Sequence, residues 1–408
     1  MNLKLDQISN IRNTEIQITG SKSETNRLLI LQSLYPEIEI ENISNSDDSQ
    51  LMKKALASEI ELIDIHHAGT AMRFLTAYFA VNNGRSTVLT GSKRMQERPV
   101  KILVEALEQL GCEITYEKDK GYPPIKIIGK HPKTNSVSLA ANVSSQYISA
   151  LMLIASSLPE GLEINLKGKI TSVPYIKMTL NLLNDVGIEG TFVDNTIRIP
   201  HVKVVSPKLM VVESDWSSAS YFYSIVALSE AAMVTIGSYK KESYQGDAAL
   251  ADFYQNLGVQ TTFDNHKITL TKIPLPKVTK VIELDLSNSP DIAQTIAVTC
   301  FGLGIACYLT GLHTLKIKET DRLVALKVEI EKLGGQVTIT EDSLRLATRV
   351  SITPDVSIET YNDHRMAMAF APLALRTSLR IENANVVSKS YPDFWTDLKK
   401  LGFKSNEF

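Results

Sequence analysis

The chain has 408 residues, a formal net charge of −2, 44% apolar and 22% charged side chains, the balance of a globular protein with room for two or three cored domains. That charge argues against a dedicated nucleic-acid binder, and no apolar run approaches the roughly 18 residues that a membrane helix needs. Three scattered cysteines, Cys112, Cys300 and Cys307, have no metal-ligand spacing and suit reduced thiols in a cytoplasmic protein.

In chain order, Leu3 to Ile8 and Glu15 to Ile18 alternate as strands and show no secretory apolar stretch. A helix is expected from Ser23 and another over Asp47 to Leu56, with only Ile60 to Ile65 before His66. From Gly69 a longer pattern sets in. Helix starts recur at Ser144, Ser217, Asp291 and His364, about every 73 residues, and second helices end at Gly111, Gly187, Gly258, Gly334 and Gly402. A period this long marks a repeat architecture.

One copy shows the plan. Ser144 to Leu158 reads as an apolar helix, Leu162 to Leu166 as a strand, and Pro174 to Leu183 as an amphipathic helix. Ile188 to Phe192 and Thr196 to Ile199 then read as strands around an Asp194-Asn195 turn. Equivalent hairpins are expected at Cys112–Glu117 with Ile125–Gly129, Val259–Phe263 with His266–Thr271, and Gln336–Thr340 with Leu344–Thr348. Each unit is therefore βαβαββ. The first copy has no room for its hairpin, and the last stops at Leu401-Gly402-Phe403, so both N-terminal strands are expected to complete the last copy. First helices such as Ala367–Ala371 are apolar nearly all round and must be buried, while second helices should face solvent. Six units then divide into two α/β domains of three, residues 1–20 plus 214–408 and residues 21–213.

The chemistry-bearing residues sit at helix starts. Lys22, Arg27, Arg98, Lys318, Arg322, Arg365 and Lys389 place cations where the helix dipole favours anions. Repeated at equivalent positions, they point to a strongly anionic ligand with phosphate or carboxylate groups. Ser23, Ser144, Ser145, Gln146 and Ser172 lie beside them as neutral donors, although each alone reads as an N-cap. Asp291, and Glu319 between Lys318 and Arg322, are candidate proton-transfer groups. Gly69 allows close backbone approach. His364 reads as an N-cap or packed histidine, and Trp216 and Trp395 as core. Nucleotide-hydrolysis, dinucleotide and zinc motifs are missing from the sequence.

Five segments together resemble the 5-enolpyruvylshikimate-3-phosphate synthase family: Gly20-Ser21-Lys22-Ser23 with Asn26-Arg27, Ala68–Arg73, Arg94–Pro99, Lys318–Arg322 and Tyr361–Met368. The likeness runs from Leu3 to Leu401. It implies an inside-out α/β barrel in each of two domains, closing over the substrates as a monomer. It also implies transfer of the enolpyruvyl group of phosphoenolpyruvate to the 5-hydroxyl of shikimate 3-phosphate, without metal or other cofactor.

Carried over by motif, shikimate 3-phosphate is expected to meet Lys22, Ser23, Arg27, Ser144, Ser145, Gln146, Ser172, Asp291 and Lys318. Phosphoenolpyruvate is expected to meet Lys22, Gly69, Arg98, Gln146, Arg322, Arg365 and Lys389. The resemblance makes Asp291 the base at the 5-hydroxyl and gives Glu319 and Lys22 the proton transfers at the enol carbon. His67, Phe74 and Thr314 depart from the residues usual in that family, and none of the three changes removes a charge.

Two rivals remain. The enolpyruvyl transferases acting on UDP-N-acetylglucosamine place Cys or Asp before their Arg-Pro motif, where this chain has Gln96-Glu97. A non-catalytic repeat scaffold would not need Asp291 and Glu319 among the cations. The net charge also disfavours an RNA-end-processing enzyme.

Overall fold

In a computed structural model the described residues are 1–140, 144–168, 170, 173–276 and 281–408. They form a mixed α/β fold whose contacts divide into two compact units, Met1–Thr19 with Glu213–Phe408, and Gly20–Val212.

Helix composition dictates the layering of each unit. Gly69–Val81 and Ser145–Ala155 are buried around nearly their whole circumference. A helix without a polar face has to be enclosed. In the Gly20–Val212 unit these two pack with Lys22–Leu34. In the other unit Trp216–Leu228, Ala293–Leu303 and His364–Phe370 form the equivalent central trio. The sheets lie outside the helices and alternate buried with more exposed positions, as Leu162–Lys167 does. One face lies on the core and the other faces water.

Complete repeats share one sheet pattern. Leu62–Asp64 pairs parallel with Ser86–Thr90, which pairs antiparallel with Ile125–Ile128, and Glu113–Tyr116 forms the edge. The same order recurs with Ser136–Ala140, Leu162–Lys167, Thr196–Ile199 and Thr191–Val193. The last of these strands starts at Thr191, because Ile188 to Gly190 stay outside the ladder. The first copy lacks a hairpin: Ile38–Glu41 pairs only with Lys208–Val211 in a two-stranded sheet.

The N-terminal strands do not both complete the last copy. Leu3–Leu5 does so, pairing antiparallel with Leu379–Ile381 in the register Leu3↔Ile381. The residues after Gly402 supply a further strand, Ser405–Glu407, on its other side. These two strands occupy the hairpin positions of the complete copies. Thr14–Ile16 instead runs parallel to Met233–Gly237 in the fourth copy's sheet. At both chain crossings, therefore, a strand stays in the unit it belongs to, and the helix that follows it enters the other unit. At the first crossing an added Cβ on Gly20 would lie 1.8 Å from the Asn42 carbonyl oxygen and 2.7 Å from Val212 Cγ1. No other residue fits there. Among the described residues, no helix is long and apolar enough to cross a membrane.

Candidate active-site residues

In the unit formed by Met1–Thr19 and Glu213–Phe408, helix starts from two repeats converge on Arg322. Asp321 caps the helix Arg322–Lys332 by accepting from the Leu323 and Val324 amides, which fixes Arg322 at its first position. The Arg322 guanidinium is buried and donates to three carboxylates. Nε reaches Asp363 Oδ2 at 2.6 Å, Nη1 reaches Asp291 Oδ1 at 2.8 Å, and Nη2 reaches Glu319 Oε2 at 2.9 Å. Burial works against its charge, but Asp363, Glu319 and Asp291 outweigh burial and raise its pKa above the usual value.

Asp291 is the hub of this cluster. It lies in the 3-10 turn Pro290–Ile292 ahead of the helix Ala293–Leu303, rather than at the α-helix start itself. Besides Arg322, its carboxylate has Lys318 Nζ at 3.4 Å and Arg365 Nη2 at 3.6 Å. Three cations thus surround one carboxylate, and the same cations can also receive anions. Asp363 caps the helix His364–Phe370 through the Arg365 amide, and His364 packs as a buried residue behind it. Lys389 donates to the Asn362 carbonyl at 2.6 Å, which brings it to the same turn. Thr314 Oγ1 is buried and has no hydrogen-bond partner among the described residues.

The Gly20–Val212 unit holds the second cluster. An added Cβ on Gly69 would lie 2.6 Å from Arg98 Nη1, so the guanidinium lies against the bare glycine. Gln146 Nε2 donates to Thr70 Oγ1 at 3.3 Å, which places the Ser144-Ser145-Gln146 helix start beside Gly69 and Thr70. Ser144 caps its own helix through the Gln146 amide. Lys22 and Ser23 open the helix Lys22–Leu34 and are both half-buried. Ser172 lies outside the described residues.

Arg27 sits deeper than the sequence reading implies. Its guanidinium turns into the core, donating to Thr179 Oγ1 at 2.7 Å, the Ser23 carbonyl at 2.7 Å and Ser149 Oγ at 3.0 Å, with Phe74 at 5.3 Å. Burial lowers its pKa to about 10. Phe74, one of the departures, thus packs against this arginine. His67, another, has Nδ1 2.6 Å from His66 Nδ1 and Nε2 3.6 Å from Asp47.

Sequence reasoning did not assign Arg73, Asp363 or Asp247. Arg73 donates to the Gly69 carbonyl at 3.1 Å and the Pro99 carbonyl at 2.9 Å, tying the Gly69 helix start to the Arg98 loop. Burial first, then Arg98, lowers its pKa to about 10. A cation inside the apolar run Gly69–Val81 was the available signal. Asp363 carried only an N-cap signal, and Asp247 carried none.

The two units, each a bundle of buried helices inside outer sheets, have the fold of an enolpyruvyl transferase. A solved structure with that title, NikO from Streptomyces tendae, matches with a TM-score of 0.73 at 14% identity over 99% of this chain and 98% of that one. An EPSP synthase from Acinetobacter baumannii matches with a TM-score of 0.80 at 19% identity over 100% of both chains. Residues 57–398 match the family described as EPSP synthase (3-phosphoshikimate 1-carboxyvinyltransferase). A protein of that name from Bacteroides fragilis (strain YCH46) is 44% identical over 95% of each chain, and one from Mannheimia haemolytica is 35% identical over 98% of this chain and 99% of the relative. This chain belongs to the EPSP synthase family.

Proposed function

We propose that the chain is a 3-phosphoshikimate 1-carboxyvinyltransferase of aromatic amino acid biosynthesis. It transfers the enolpyruvyl group of phosphoenolpyruvate to the 5-hydroxyl of shikimate 3-phosphate and releases phosphate. The observation that carries this reading is Asp291, a carboxylate held by Arg322, Lys318 and Arg365 in a chain of this family. The acceptor hydroxyl needs a base, and the two anionic substrates need cations. One cluster offers both.

In this reading Asp291 takes the 5-hydroxyl proton as the oxygen bonds to C2 of phosphoenolpyruvate, while C3 gains a proton. Loss of that C3 proton and cleavage of the C2–O bond to phosphate then regenerate the enol ether. Glu319 and Lys22 handle the C3 proton. Arg98, with Gly69 and Gln146, and Arg365, Arg322 and Lys389 receive phosphoenolpyruvate. Lys22, Ser23, Arg27, Ser144, Ser145, Gln146, Ser172 and Lys318 receive shikimate 3-phosphate, Arg27 acting mainly by holding Ser23 from behind. Positioning and charge neutralisation supply much of the catalysis in such a site. Composition and family likeness support a cytoplasmic monomer that needs no cofactor and engages neither nucleic acid nor membrane.

The Gly69–Arg98 contact tests the ligand assignment. Gly69→Ala places a methyl where Arg98 Nη1 now lies, so the guanidinium must move. The KM for phosphoenolpyruvate should rise about tenfold, the effect of losing roughly 1.4 kcal/mol of binding, while that for shikimate 3-phosphate stays nearly constant. Equal rises in both KM values would show that Arg98 does not belong to phosphoenolpyruvate.

A further inference from the structure

Behind Arg365 lies an acid that the mechanism above does not use. Asp247 is on the 3-10 turn Gly246–Ala249 and is 6% exposed. Gln245 fixes this turn against the start of the helix Trp216–Leu228. Its Oε1 accepts from the Trp216 amide at 3.0 Å, and its Nε2 donates to the Ser214 carbonyl at 2.9 Å. Asp247 Oδ2 thereby accepts the Ser217 hydroxyl proton, and Ser217 Oγ accepts in turn from Arg365 Nη2 at 3.2 Å. One nitrogen of Arg365 therefore faces Asp291 directly and Asp247 through a single hydroxyl.

We propose that Asp247 is a positioning residue for Arg365, holding it through Ser217 and setting by its own charge how strongly Arg365 attracts an incoming anion. The proposal rests on the reading of Arg365 as a phosphoenolpyruvate contact. The charged groups that act most strongly on Asp247 are Asp291, which precedes the helix Ala293–Leu303, Arg365, in the first turn of the helix His364–Phe370, and Asp215, which caps the helix Trp216–Leu228. Tyr221, beside Arg365, stays neutral because burial raises its pKa.

Adding charge to Asp247 places a second carboxylate near Asp291 in a site shielded from water. Burial and then Asp291 accordingly push its pKa up to about 7, while Arg365 and the Ser217 hydroxyl pull it down. The sign for binding follows. An anion at Arg365 disfavours a charged Asp247, so binding draws a proton onto it. Below neutrality Asp247 is already protonated and weakens Arg365 little. Above neutrality the added negative charge opposes phosphoenolpyruvate.

Asp247→Asn separates charge from position, because the amide oxygen can still accept from Ser217. The measurement is kcat and KM for both substrates at several pH values on either side of neutrality, for wild type and variant side by side. The ionisation of phosphoenolpyruvate itself then cancels in the ratio. Below neutrality the two KM values for phosphoenolpyruvate should coincide. Above it the variant should bind up to about tenfold more tightly, the scale for removing one charge at this range. A purely structural Asp247 would lower stability and shift the curve without changing its shape. Parallel curves from an active enzyme would therefore overturn this inference alone, whereas wild type inactive with phosphoenolpyruvate and shikimate 3-phosphate would overturn the functional reading and the inference with it.

Proton uptake by the wild type on binding phosphoenolpyruvate without the acceptor, so that no turnover occurs, measured by calorimetry in two buffers of different ionisation enthalpy, serves should the variant not fold. Uptake near neutrality beyond that of the substrate supports the role, and none overturns it.

Discussion

Asp291→Asn should lower kcat by about 100- to 10,000-fold, the range that a positioned general base supplies, while the protein stays folded and still binds shikimate 3-phosphate. The variant keeps the shape of the side chain and an oxygen facing Arg322. Arg322 also keeps Asp363 and Glu319, so the loss of one partner does not strand it. What disappears is a negative charge with Lys318 and Arg365 nearby. Freed of that charge, the cations should hold anionic substrates at least as well, so KM should not rise. A fall in kcat without a rise in KM is the mark of a group needed only as the bond forms. Near-normal turnover would remove Asp291 from proton transfer.

Arg322→Leu should destabilise the fold by about 3–5 kcal/mol, because removing one member of a buried ion network leaves its partners uncompensated. Asp363 is fully buried and Asp291 nearly so, and both form ion pairs with this guanidinium, Asp291 keeping Lys318 and Arg365 at longer range. Leucine fills part of the volume but offers no donors. In a unit of about 200 residues such a loss lowers Tm by roughly 6–20 °C. Arg322→Lys should recover only part of it, since one ammonium cannot reproduce a planar fork serving three carboxylates. Chemical denaturation decides the matter, and a cost below about 1 kcal/mol would mean that Arg322 is not what holds the three acids together.

Much of this arrangement was legible in the sequence because helix period and helix starts are local. The apolar run from Gly69 to Val81 demands burial wherever it packs, and the glycine that ends each second helix sets the repeat length. Strand partners are less local. Glu15 to Ile18 has the alternation of a strand, but nothing in that alternation says that Thr14–Ile16 lies beside Met233–Gly237. Ser405–Glu407 is polar and short, and becomes a strand only because Leu3–Leu5 offers it an edge.

The chemistry divides in the same way. Cations at helix starts could be read from the repeat, whereas the direction of a long side chain could not. Arg27 and Lys22 share one helix, but Arg27 lies one turn further on and meets Ser149 and Thr179 from other helices. Asp247, after Gln245-Gly246, carries no signal of this kind in the sequence. Its role depends on Ser217, thirty positions away.

The most direct test of this account is phosphate release from phosphoenolpyruvate, with shikimate 3-phosphate or UDP-N-acetylglucosamine as the acceptor, together with identification of the organic product. The account requires release with shikimate 3-phosphate, one enol ether at the 5-oxygen for each phosphate, and no release with the nucleotide sugar. Release with the nucleotide sugar alone, or phosphate without the ether, would contradict it.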